Sequence, residues 1–497
     1  MKGIALVVAL GASTFLFGQP NPRYPVDSDQ LNAIVEKMIE ERNIPGLAIG
    51  IVRADVLEYF YTYGYADKKN KIEIETETGF QIASLTKPII AILAMKLYED
   101  GKIDIHKPVQ NYLPYADIPK AIPPVSMAHL LTHSSGLPEE PVNRVNLSNT
   151  PSVPKPYSKE ELYDGLKNTQ LLFTPGTSVQ YSNLGFKLAG HVLEEVAKST
   201  LEELLKSEIL EPLKMNSTYA QNKPLYLNEA SHYWNVDNAA EPHARWKIGE
   251  IWGNGGLTST IGDMSKFLSL QFKRSSSVEG VISPSHIVLS QVSKIPTNRS
   301  HSEFIGFGWY IGVDEKVGKH LFHTGNADGH SSYISFSPED GVGFIVLANR
   351  GNVADDIGEE LHEVIYNELS LIKRQIGMAF SEGNWQTLLQ KSSELIGLNP
   401  SNSRAHYLKG KALYMLSEYK EAVSYLNVAI KDNIYKDYAL FYQASCMANL
   451  GEDEKAIEYL SQAVNLGFND GDALMRDSNL SRFSHEPSFK KLAEYAH

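Results

Sequence analysis

The chain reads SLTKPIIAILAMKLYEDG over residues 84–101, and the rest of the fold is predicted to be organised around this stretch. The apolar run after Lys87 indicates a helix. Pro88 is compatible with the first turn of that helix, where a missing N–H costs little. Gly101 stands where a C-terminal cap would fall. Residues 84–101 are therefore predicted to form a helix that begins at Ser84.

Ser84 and Lys87 have the spacing of a nucleophile and its proton acceptor. Residues i and i+3 share one face of a helix, so the lysine amine would lie beside the serine hydroxyl. A serine hydroxyl is a weak nucleophile unless a neighbouring base takes its proton. Burial among apolar residues would lower the pKa of Lys87 and make its amine such a base. The positive end of the helix would stabilise negative charge at Ser84.

The same four residues also fit a simpler arrangement. A serine often caps the N-terminus of a helix, and a lysine one turn later is commonly solvated. A short motif is only a hypothesis until the surrounding chain provides its context. The choice between catalysis and capping therefore depends on motifs elsewhere in the sequence.

Length and composition restrict the architecture and the partners. The chain has 497 residues, which suggests two or more domains, and 42% of them are hydrophobic, as in ordinary globular proteins. The formal net charge of −13 argues against nucleic acid or an anionic membrane surface as the main partner. The single cysteine, Cys446, excludes an internal disulfide and a cysteine-rich zinc site.

The N-terminus has the pattern of an export signal. Lys2 supplies a minimal positive region, and Ile4 to Phe17 is almost wholly apolar but short for a membrane span. Gly18 is a candidate cleavage point, which predicts a signal peptide over residues 1–18 and a periplasmic or secreted protein. Leu16 is larger than the usual residue two positions before such a site, so an uncleaved N-terminal membrane anchor stays open as the alternative.

Segments on both sides of the Ser84 helix predict one sheet built from the two ends of the chain. A helix over Leu31–Ile44 precedes strands over Leu47–Val52 and Val56–Tyr65. Further elements are predicted near the other end, namely strands at Gly306–Ile311, beside His323–Gly325, at Tyr333–Ser337 and at Gly343–Ala348, and a helix at Asp355–Leu369. The helices between these two groups would form a separate lobe that contains the Ser84 helix.

A second polar motif, Tyr181-Ser182-Asn183, follows the turn at Pro175-Gly176 and precedes a long amphipathic helix. In an extended stretch, Tyr181 and Asn183 would point to the same side and offer a phenol and an amide to one cavity. Ser182 or Asn183 would also cap the helix, and the two roles are compatible.

Two other polar motifs favour a structural interpretation. His129 and His133 are four residues apart, as metal ligands on one helix face would be, but Ser134-Ser135-Gly136 predicts that the helix ends there. The glycine-rich stretch Trp252–Leu257 lacks the ending of a phosphate-binding loop and is predicted to be a turn before a helix capped at Gly262-Asp263. We therefore predict no metal site, no bound nucleotide and no cofactor.

The order of three motifs resembles that of a known enzyme family. Ser84-x-x-Lys87, Tyr181-Ser182-Asn183 and His323-Thr324-Gly325 follow one another as the motifs of β-lactamase and penicillin-binding-protein serine hydrolases do. The Tyr-x-Asn form is similar to the class C branch, which includes esterases and D-amino-acid peptidases. The resemblance covers about Leu31 to Asn367. It implies that residues 26–370 have an α+β, β-lactamase-like fold, an antiparallel sheet flanked by helices plus a helical lobe.

The resemblance also implies a catalytic apparatus. Ser84 would attack a carbonyl group and form an acyl-enzyme, while Lys87 and Tyr181 would share the proton transfers. The backbone N–H groups of Ser84 and Asn326 would form the oxyanion hole, where one donor contributes about 10²–10³ in rate.

Substrate binding is implied for Asn183 and for His323-Thr324-Gly325. The third motif of the family usually begins with lysine, and the substitution of His323 favours an esterase, amidase or peptidase over a β-lactamase. Recognition of a substrate carboxylate by His323 would be pH-dependent, because an imidazole loses its charge near about pH 6.5. The competing interpretation is that His323 hydrogen-bonds or packs beside the pocket and that the substrate is a neutral ester or amide.

The region after Leu371 repeats itself at an interval of 34 residues. The six positions Ala405, Ala412, Ala422, Tyr425, Leu426 and Ala429 recur as Ala439, Cys446, Ala456, Tyr459, Leu460 and Ala463, each 34 residues later. This is the period of tetratricopeptide (TPR) repeats, so residues 371–497 resemble an all-α array of three such repeats, capped near Phe489–Tyr495. Such an array normally offers a concave face to a protein partner, but a helical cap without a partner fits equally well.

Two classes of function remain open. The first is an exported serine hydrolase that acts on an ester, amide or peptide bond of a small-molecule or peptide substrate. Such an enzyme would resemble an esterase or a D-amino-acid peptidase, with at most weak β-lactamase activity. The second is an inactive hydrolase scaffold that binds a protein through its repeats. The presence of Ser84, Lys87 and Tyr181 favours the first class.

Overall fold

The computed structural model describes most of residues 28–494. The segments outside the description are 54–55, 144–155, 222, 234–248, 273–280, 293, 298–301, 315–317, 328, 401, 432–434, 472–473, 475–476 and 478. The predicted signal peptide and Tyr495 therefore lie outside the described residues. The chain divides into two units, Met1–Tyr366 and Asn367–His497.

A nine-stranded antiparallel sheet forms the frame of the first unit, within its described residues. The strands of the unit are β1 (Gly46–Arg53), β2 (Val56–Asp67), β3 (Ile72–Glu73), β4 (Phe80–Gln81), β5 (Thr258–Ser259), β6 (Ile295–Pro296), β7 (Glu303–Ile305), β8 (Tyr310–Asp314), β9 (Gly318–Ala327), β10 (His330–Ser337) and β11 (Val342–Ala348). Their order in the large sheet is β3-β2-β1-β11-β10-β9-β8-β7-β6, and β4 pairs with β5 separately.

The sheet is built from both ends of the chain, as the sequence predicts. Strand β1 pairs with β11 over a continuous register from Leu47↔Ala348 to Arg53↔Val342. This pairing joins the first strands to the last ones, so the long segment between them is free to form the helical lobe. Apart from the strand at Gly306–Ile311, the predicted strands and the helix that precedes them are confirmed, with bounds that differ by a few residues.

One predicted strand is wrong in its first half. Residues 306–309 are not part of a strand but form the tight loop between β7 and β8, closed by a bond from the Gly306 N–H to the Trp309 carbonyl, 2.8 Å. Gly308 in this loop has a φ of +75°, a left-handed conformation that glycine adopts without steric cost. The alternating aromatic and glycine residues therefore mark a hairpin turn, and the strand itself begins at Tyr310.

The helices of the first unit cover the two faces of the sheet. They are α1 (Ser28–Arg42), α2 (Thr86–Glu99), α3 (Met127–Leu131), α4 (Lys159–Lys167), α5 (Asn183–Ala197), α6 (Leu201–Leu205), α7 (Ile261–Leu270), α8 (Pro284–Ser290) and the first part of α9 (Ala354–Ser381). Helix α7 packs against β1 and β11 on one face, whereas on α9 Tyr366 contacts Phe344 on the other. The cap of α7 is Thr260, whose hydroxyl accepts the Asp263 N–H, and not Gly262-Asp263 as the sequence suggests.

Helix α2 is the buried centre of the helical lobe. Its residues from Thr86 to Met95 are all buried, in one continuous apolar core with the inner face of the sheet. A short 3₁₀ turn over Ala83–Leu85 precedes it, so Ser84 lies at the entrance of the helix as predicted. Gly101 follows its end with a φ of +69° and donates its N–H to the Tyr98 carbonyl, which confirms the predicted cap.

The described part of the second unit is all helical. After α9 come α10 (Trp385–Leu398), α11 (Ser403–Met415), α12 (Tyr419–Ala429), α13 (Lys436–Leu450), α14 (Asp453–Asn465) and α15 (Pro487–Ala493). From α10 to α14 each helix packs against the next, and α14 also packs against α15. The predicted end of a helix at Leu369 is wrong, because α9 continues to Ser381 and the predicted boundary at 370/371 falls inside it.

The 34-residue repeat has the same burial in both copies. The tyrosine of each copy, Tyr425 in the first and Tyr459 in the second, is half-buried, and the other five positions of the repeat are buried in both copies. Cys446 is among these buried positions and takes the place of Ala412, in agreement with a packing role. Equal burial at equal spacing is what stacked helical pairs of one kind require.

A substitution at Gly308 should destabilise the helical lobe. A Cβ there would lie 2.8 Å from Ala91 Cβ and 3.0 Å from Pro88 Cα of α2, in addition to the strain of a positive φ. Gly308→Ala should therefore lower the melting temperature by more than Gly101→Ala, since Gly101 has a similar φ and no heavy atom within 4 Å of its Cβ position. The overpacking adds about 1–3 kcal/mol to the strain. Equal shifts in thermal unfolding would show that α2 does not pack tightly on this turn.

Candidate active site

The segment that leads into Ser84 is held on both sides and carries strained backbone. The Ile82 N–H donates to the Leu257 carbonyl at 2.9 Å, and the Ile82 carbonyl accepts the Ser332 hydroxyl at 2.8 Å. Between Ile82 and Ser84, Ala83 has a φ of +46°. A non-glycine residue in this region costs about 1–3 kcal/mol and persists only where the surroundings enforce it. The left-handed conformation of Ala83 turns the chain sharply between β4 and α2, and Ser84 lies at this bend.

Lys87 contacts Ser84 as the i, i+3 spacing predicts. The distance from Lys87 Nζ to Ser84 Oγ is 2.9 Å. The ammonium nitrogen also lies 2.8 Å from Asn183 Oδ1 and 2.6 Å from the Asn254 carbonyl oxygen. Lys87 has no solvent exposure. The lysine of the first motif is thus buried against the nucleophile, and the solvated alternative is wrong for this residue.

The three oxygen neighbours of Lys87 define how a neutral amine would be oriented. Burial lowers the pKa of Lys87 well below its usual value; Glu140 and Glu139 raise it to a smaller extent, and Lys187 lowers it. A neutral amine has two N–H donors and one lone pair. Amide oxygens only accept, so the two N–H groups are directed to Asn183 and Asn254, and the lone pair is left facing the Ser84 hydroxyl. This is the orientation of a base that takes the serine proton.

Tyr181 reaches Ser84 from the other motif. The two hydroxyl oxygens are 2.6 Å apart, and Lys87 Nζ lies 4.6 Å from the centroid of the Tyr181 ring. Burial raises the pKa of Tyr181 well above its usual value, so the phenol keeps its proton. A protonated phenol donates to the serine oxygen while the serine donates to the lysine. The hydroxyl of Ser84 is therefore placed between a donor and an acceptor.

The backbone around Ser182 explains why Tyr181 and Asn183 both reach the site. Ser182 is extended, with φ −138° and ψ 107°, and its hydroxyl accepts the Gly185 N–H as the N-cap of α5. An extended residue puts its two neighbours on the same side. The capping role and the site role occur together, and the cap is Ser182 rather than Asn183.

His133 supports Tyr181 instead of pairing with His129. It lies beyond the end of α3 with a φ of +53°, its Nδ1 accepts the Ser182 N–H at 3.0 Å, and its ring centroid is 4.6 Å from that of Tyr181. His129 takes part in the N-terminal cap of α3 with Ser126. The two histidines are therefore engaged separately. Among the described residues no group of three or more His, Cys, Asp or Glu side chains is arranged to hold a metal ion.

The third motif lies on β9, where one edge of the strand runs along the nucleophile. Strand β8 pairs with β9 only as far as Phe322, so residues 323–327 have no strand on that side within the described sheet. His323 is 1% exposed, and its ring lies 6.5 Å from Tyr181 and 5.6 Å from Tyr310, between centroids. Its Nδ1 is 2.7 Å from the Thr324 carbonyl oxygen. His323 is thus packed between two tyrosines beside the site.

Gly325 brings β9 into contact with the nucleophile segment. A Cβ at this position would lie 2.3 Å from Ser332 Oγ, 2.4 Å from the Ile82 carbonyl oxygen and 3.1 Å from the Ser84 nitrogen. Only a glycine permits this approach, which places the edge of β9 next to the Ser84 N–H. By strand alternation Thr324 and Asn326 have their side chains on the opposite face, so their contribution to the site would be through the backbone.

The sequence missed one functional group, the backbone carbonyl of Asn254. The glycine-rich stretch that contains it fits against the nucleophile helix, where the Leu257 N–H donates to the Thr86 hydroxyl at 3.2 Å. Every residue has a backbone carbonyl, so the residue type at position 254 does not indicate that this one accepts a hydrogen bond. The indirect signal was the density of glycine in Trp252–Leu257, which allows the loop to come close to the lysine.

The chain is similar to several known proteins. A family model described as Beta-lactamase matches residues 31–365. The Staphylococcus aureus protein named "Protein flp" is 24% identical over 411 residues, which cover 81% of this chain and 79% of that protein. An Escherichia coli protein named "Beta-lactamase" is 24% identical over 382 residues, which cover 70% of this chain and 93% of that protein.

Two solved structures share the fold. The octameric penicillin-binding protein homologue from Pyrococcus abyssi has a TM-score of 0.59 and 25% identity, over 71% of this chain and 81% of that chain. A protein from Yersinia pestis described as a beta-lactamase/D-alanine carboxypeptidase, solved with citrate, has a TM-score of 0.55 and 21% identity, over 68% of this chain and 99% of that chain.

The close approach of β9 gives a test of the site. Gly325→Ala should slow the reaction of Ser84 with a fluorophosphonate by about 10²-fold, because the added methyl group must displace the nucleophile segment or the strand edge. Gly377→Ala is the matched control, since no heavy atom lies within 4 Å of its Cβ position. Measured labelling rates that are equal in the two variants, with both proteins folded, would contradict the close packing of β9 on Ser84.

Proposed function

The chain belongs to the Beta-lactamase family, and from that premise we propose that it is a serine hydrolase in which Ser84 forms an acyl-enzyme. The observation that carries the proposal is the hydrogen-bonded group of Ser84, Lys87 and Tyr181, with 2.9 Å and 2.6 Å to the serine oxygen. A buried amine beside a serine hydroxyl is the arrangement that nucleophilic catalysis requires. An inactive scaffold has no use for this arrangement, which disfavours the second class of function.

Acylation begins when Ser84 Oγ attacks the substrate carbonyl carbon. As the C–O bond forms, the serine proton moves to the lone pair of Lys87. Negative charge develops on the carbonyl oxygen, and the N–H groups of Ser84 and Asn326 are proposed to receive it. Asn183 and the Asn254 carbonyl hold the lysine nitrogen in place throughout, because each accepts one of its N–H groups.

The leaving group departs with a proton supplied through Tyr181. The phenol donates its own proton to the leaving oxygen or nitrogen and is reprotonated from the Lys87 ammonium, whose Nζ lies 4.6 Å from the Tyr181 ring centroid. The bond from the carbonyl carbon to the leaving group then breaks, and the acyl group stays on Ser84. Water then attacks the acyl carbonyl carbon while neutral Lys87 accepts its proton. The bond from the carbonyl carbon to Ser84 Oγ breaks, the proton passes to Oγ, and the acid is released.

The substrate is proposed to be a neutral ester or amide. His323 takes the place of the usual lysine of the third motif, and it is 1% exposed and packed between Tyr181 and Tyr310. A side chain so enclosed favours the interpretation that His323 packs beside the pocket over the interpretation that it binds a carboxylate. The name of the Escherichia coli relative makes a β-lactam the natural comparison substrate.

The N-terminal segment and the C-terminal helices bear on the localisation of the protein and on its partners. We propose that residues 1–18 direct export, on the N-terminal sequence alone; among the described residues no helix is both long and apolar enough to cross a membrane. The helices of residues 371–497 are proposed to be TPR-like repeats, supported by the equal burial at 34-residue spacing. A protein partner for these repeats is a proposal that rests on their architecture.

Covalent labelling tests the proposed function directly. A fluorophosphonate should add one phosphonyl group to the chain, and peptide mapping should place it on Ser84. Ser84→Ala should abolish labelling and the hydrolysis of a neutral ester such as p-nitrophenyl butyrate, with thermal unfolding unchanged. Tyr181→Phe and Lys87→Met should each lower the rate by several orders of magnitude, and the double variant by little more, because the two residues act as one unit.

Three results would count against the proposal. Labelling that persists in Ser84→Ala at another serine would remove Ser84 from the nucleophile position. Fully multiplicative losses in the double variant would separate Lys87 from Tyr181. Hydrolysis of benzylpenicillin much faster than that of the neutral ester would contradict the proposed substrate class while keeping the acyl-enzyme.

A further inference from the structure

A second lysine is buried close to the site. Among the described residues, Lys87 and Lys187 are the lysines with buried side chains. The Lys187 side chain has 0% exposure and forms an ion pair with Glu140, whose side chain is 26% exposed. The Lys187 nitrogen also lies 5.5 Å from the centroid of the Tyr157 ring. Burying an ammonium group is costly unless it is paired, so its presence here calls for a reason.

The position of Lys187 on α5 relates it to the catalytic lysine. Asn183 begins α5, and its amide oxygen accepts the Lys87 amine at 2.8 Å. Lys187 is four residues later and therefore occupies the same helix face, one turn away. Phe186, its neighbour, has its ring centroid 5.8 Å from Lys87 Nζ. Lys187 thus lies on the same two turns of α5 whose residues Asn183 and Phe186 contact Lys87.

Glu140 is fixed to the start of the same helix. The Leu184 N–H donates to the Glu139 carbonyl at 2.9 Å, and the Ser182 hydroxyl donates to the Pro138 carbonyl at 2.7 Å. These bonds tie residues 138–140 to the first turn of α5. The acidic pair Glu139-Glu140 therefore lies beside the site for structural reasons, and it brings negative charge near Lys87.

We propose that the buried Lys187 offsets the negative charge of Glu140 and Glu139 and so helps to keep Lys87 in its neutral form, ready to act as a base. The inference rests on the proposed function, and it makes Lys187 a positioning residue that acts through Lys87. Negative charge from Glu140 and Glu139 favours the protonated amine of Lys87, and the positive charge of Lys187 opposes it. Because Lys87 and Lys187 are both buried, their charges act on one another more strongly than they would in bulk water. Without Lys187, the acidic pair would be unopposed.

The direction of each effect on Lys87 agrees with this assignment. Burial is the largest influence and lowers its pKa, Glu140 raises it, Lys187 lowers it and Glu139 raises it. The other titratable groups around the site are the Tyr181 phenol, which stays protonated, and the His133 and His323 rings. His133 Nδ1 accepts a backbone N–H, and His323 Nδ1 contacts a backbone carbonyl.

The test follows the protonation of Lys87 itself in three variants. Lysine labelled with ¹³C at Cε reports each side chain by NMR as pH is changed, and Lys87→Met identifies the Lys87 signal. Lys187→Met removes the positive charge and keeps the length of the side chain, so the Lys87 signal should titrate at higher pH than in the unmodified protein. Lys187→Met/Glu140→Gln removes both charges and should return the titration toward its original position. Lys187→Arg keeps the charge and should leave it in place.

The pH dependence of fluorophosphonate labelling should move in the same way. The acid limb of the labelling rate reports the protonation of the base, so it should shift to higher pH in Lys187→Met and return in the double variant. Lys198→Met is the matched control, because Lys198 follows the end of α5, pairs with Glu195 and has a side chain that is 79% exposed. This control should leave both profiles unchanged.

The outcomes separate the inference from the proposed function. A lower labelling rate in Lys187→Met at every pH, with no movement of the Lys87 titration, would make Lys187 purely structural and overturn the inference. Absence of labelling in the unmodified protein would overturn the proposed function, while the NMR titration would still decide the inference. Lys187→Gln serves as the second charge-removing variant if Lys187→Met does not fold.

Discussion

Burial of the Lys87 amine against Ser84 is the constraint on which the rest of the structure depends. An amine without contact with water must either find compensating acceptors or lose its proton. Asn183 and the Asn254 carbonyl provide two acceptors, which leaves the lone pair for the serine. Three separate parts of the chain must therefore meet at one nitrogen atom: the start of α2, the start of α5 and the glycine-rich loop before α7.

The sheet and the buried helix α2 form the frame that holds these three parts of the chain together. The sheet joins the first and last strands of the first unit through β1 and β11, and α2, which carries Lys87, is buried from Thr86 to Met95. The strained backbone at Ala83 and the close approach at Gly325 persist because the packing of the surrounding sheet and helices enforces them. The positions of Ser84 and Lys87 thus depend on packing between elements that mostly lie outside the site.

The sequence predicted the parts of the site that depend on local spacing. Ser84 and Lys87 are one turn apart, and Tyr181 and Asn183 flank an extended residue, so simple periodicity places each pair. The Asn254 carbonyl was missed because a backbone acceptor is independent of residue type. The strand predicted at Gly306–Ile311 failed because its alternation matched a strand while Gly308 required a turn. The helix end at Leu369 failed because no glycine or proline lies between Leu369 and Gly377, and α9 continues to Ser381.

The proposed function requires Lys87 to be a neutral base at the pH where the protein works. The rate at which a fluorophosphonate modifies Ser84, measured from pH 5 to about pH 11 in the unmodified protein, tests it most directly. A neutral Lys87 should give a plateau that is reached well below about pH 10.4, where an exposed lysine loses half of its protons. A rate that rises continuously to that pH, without an earlier plateau, would show that Lys87 keeps its proton.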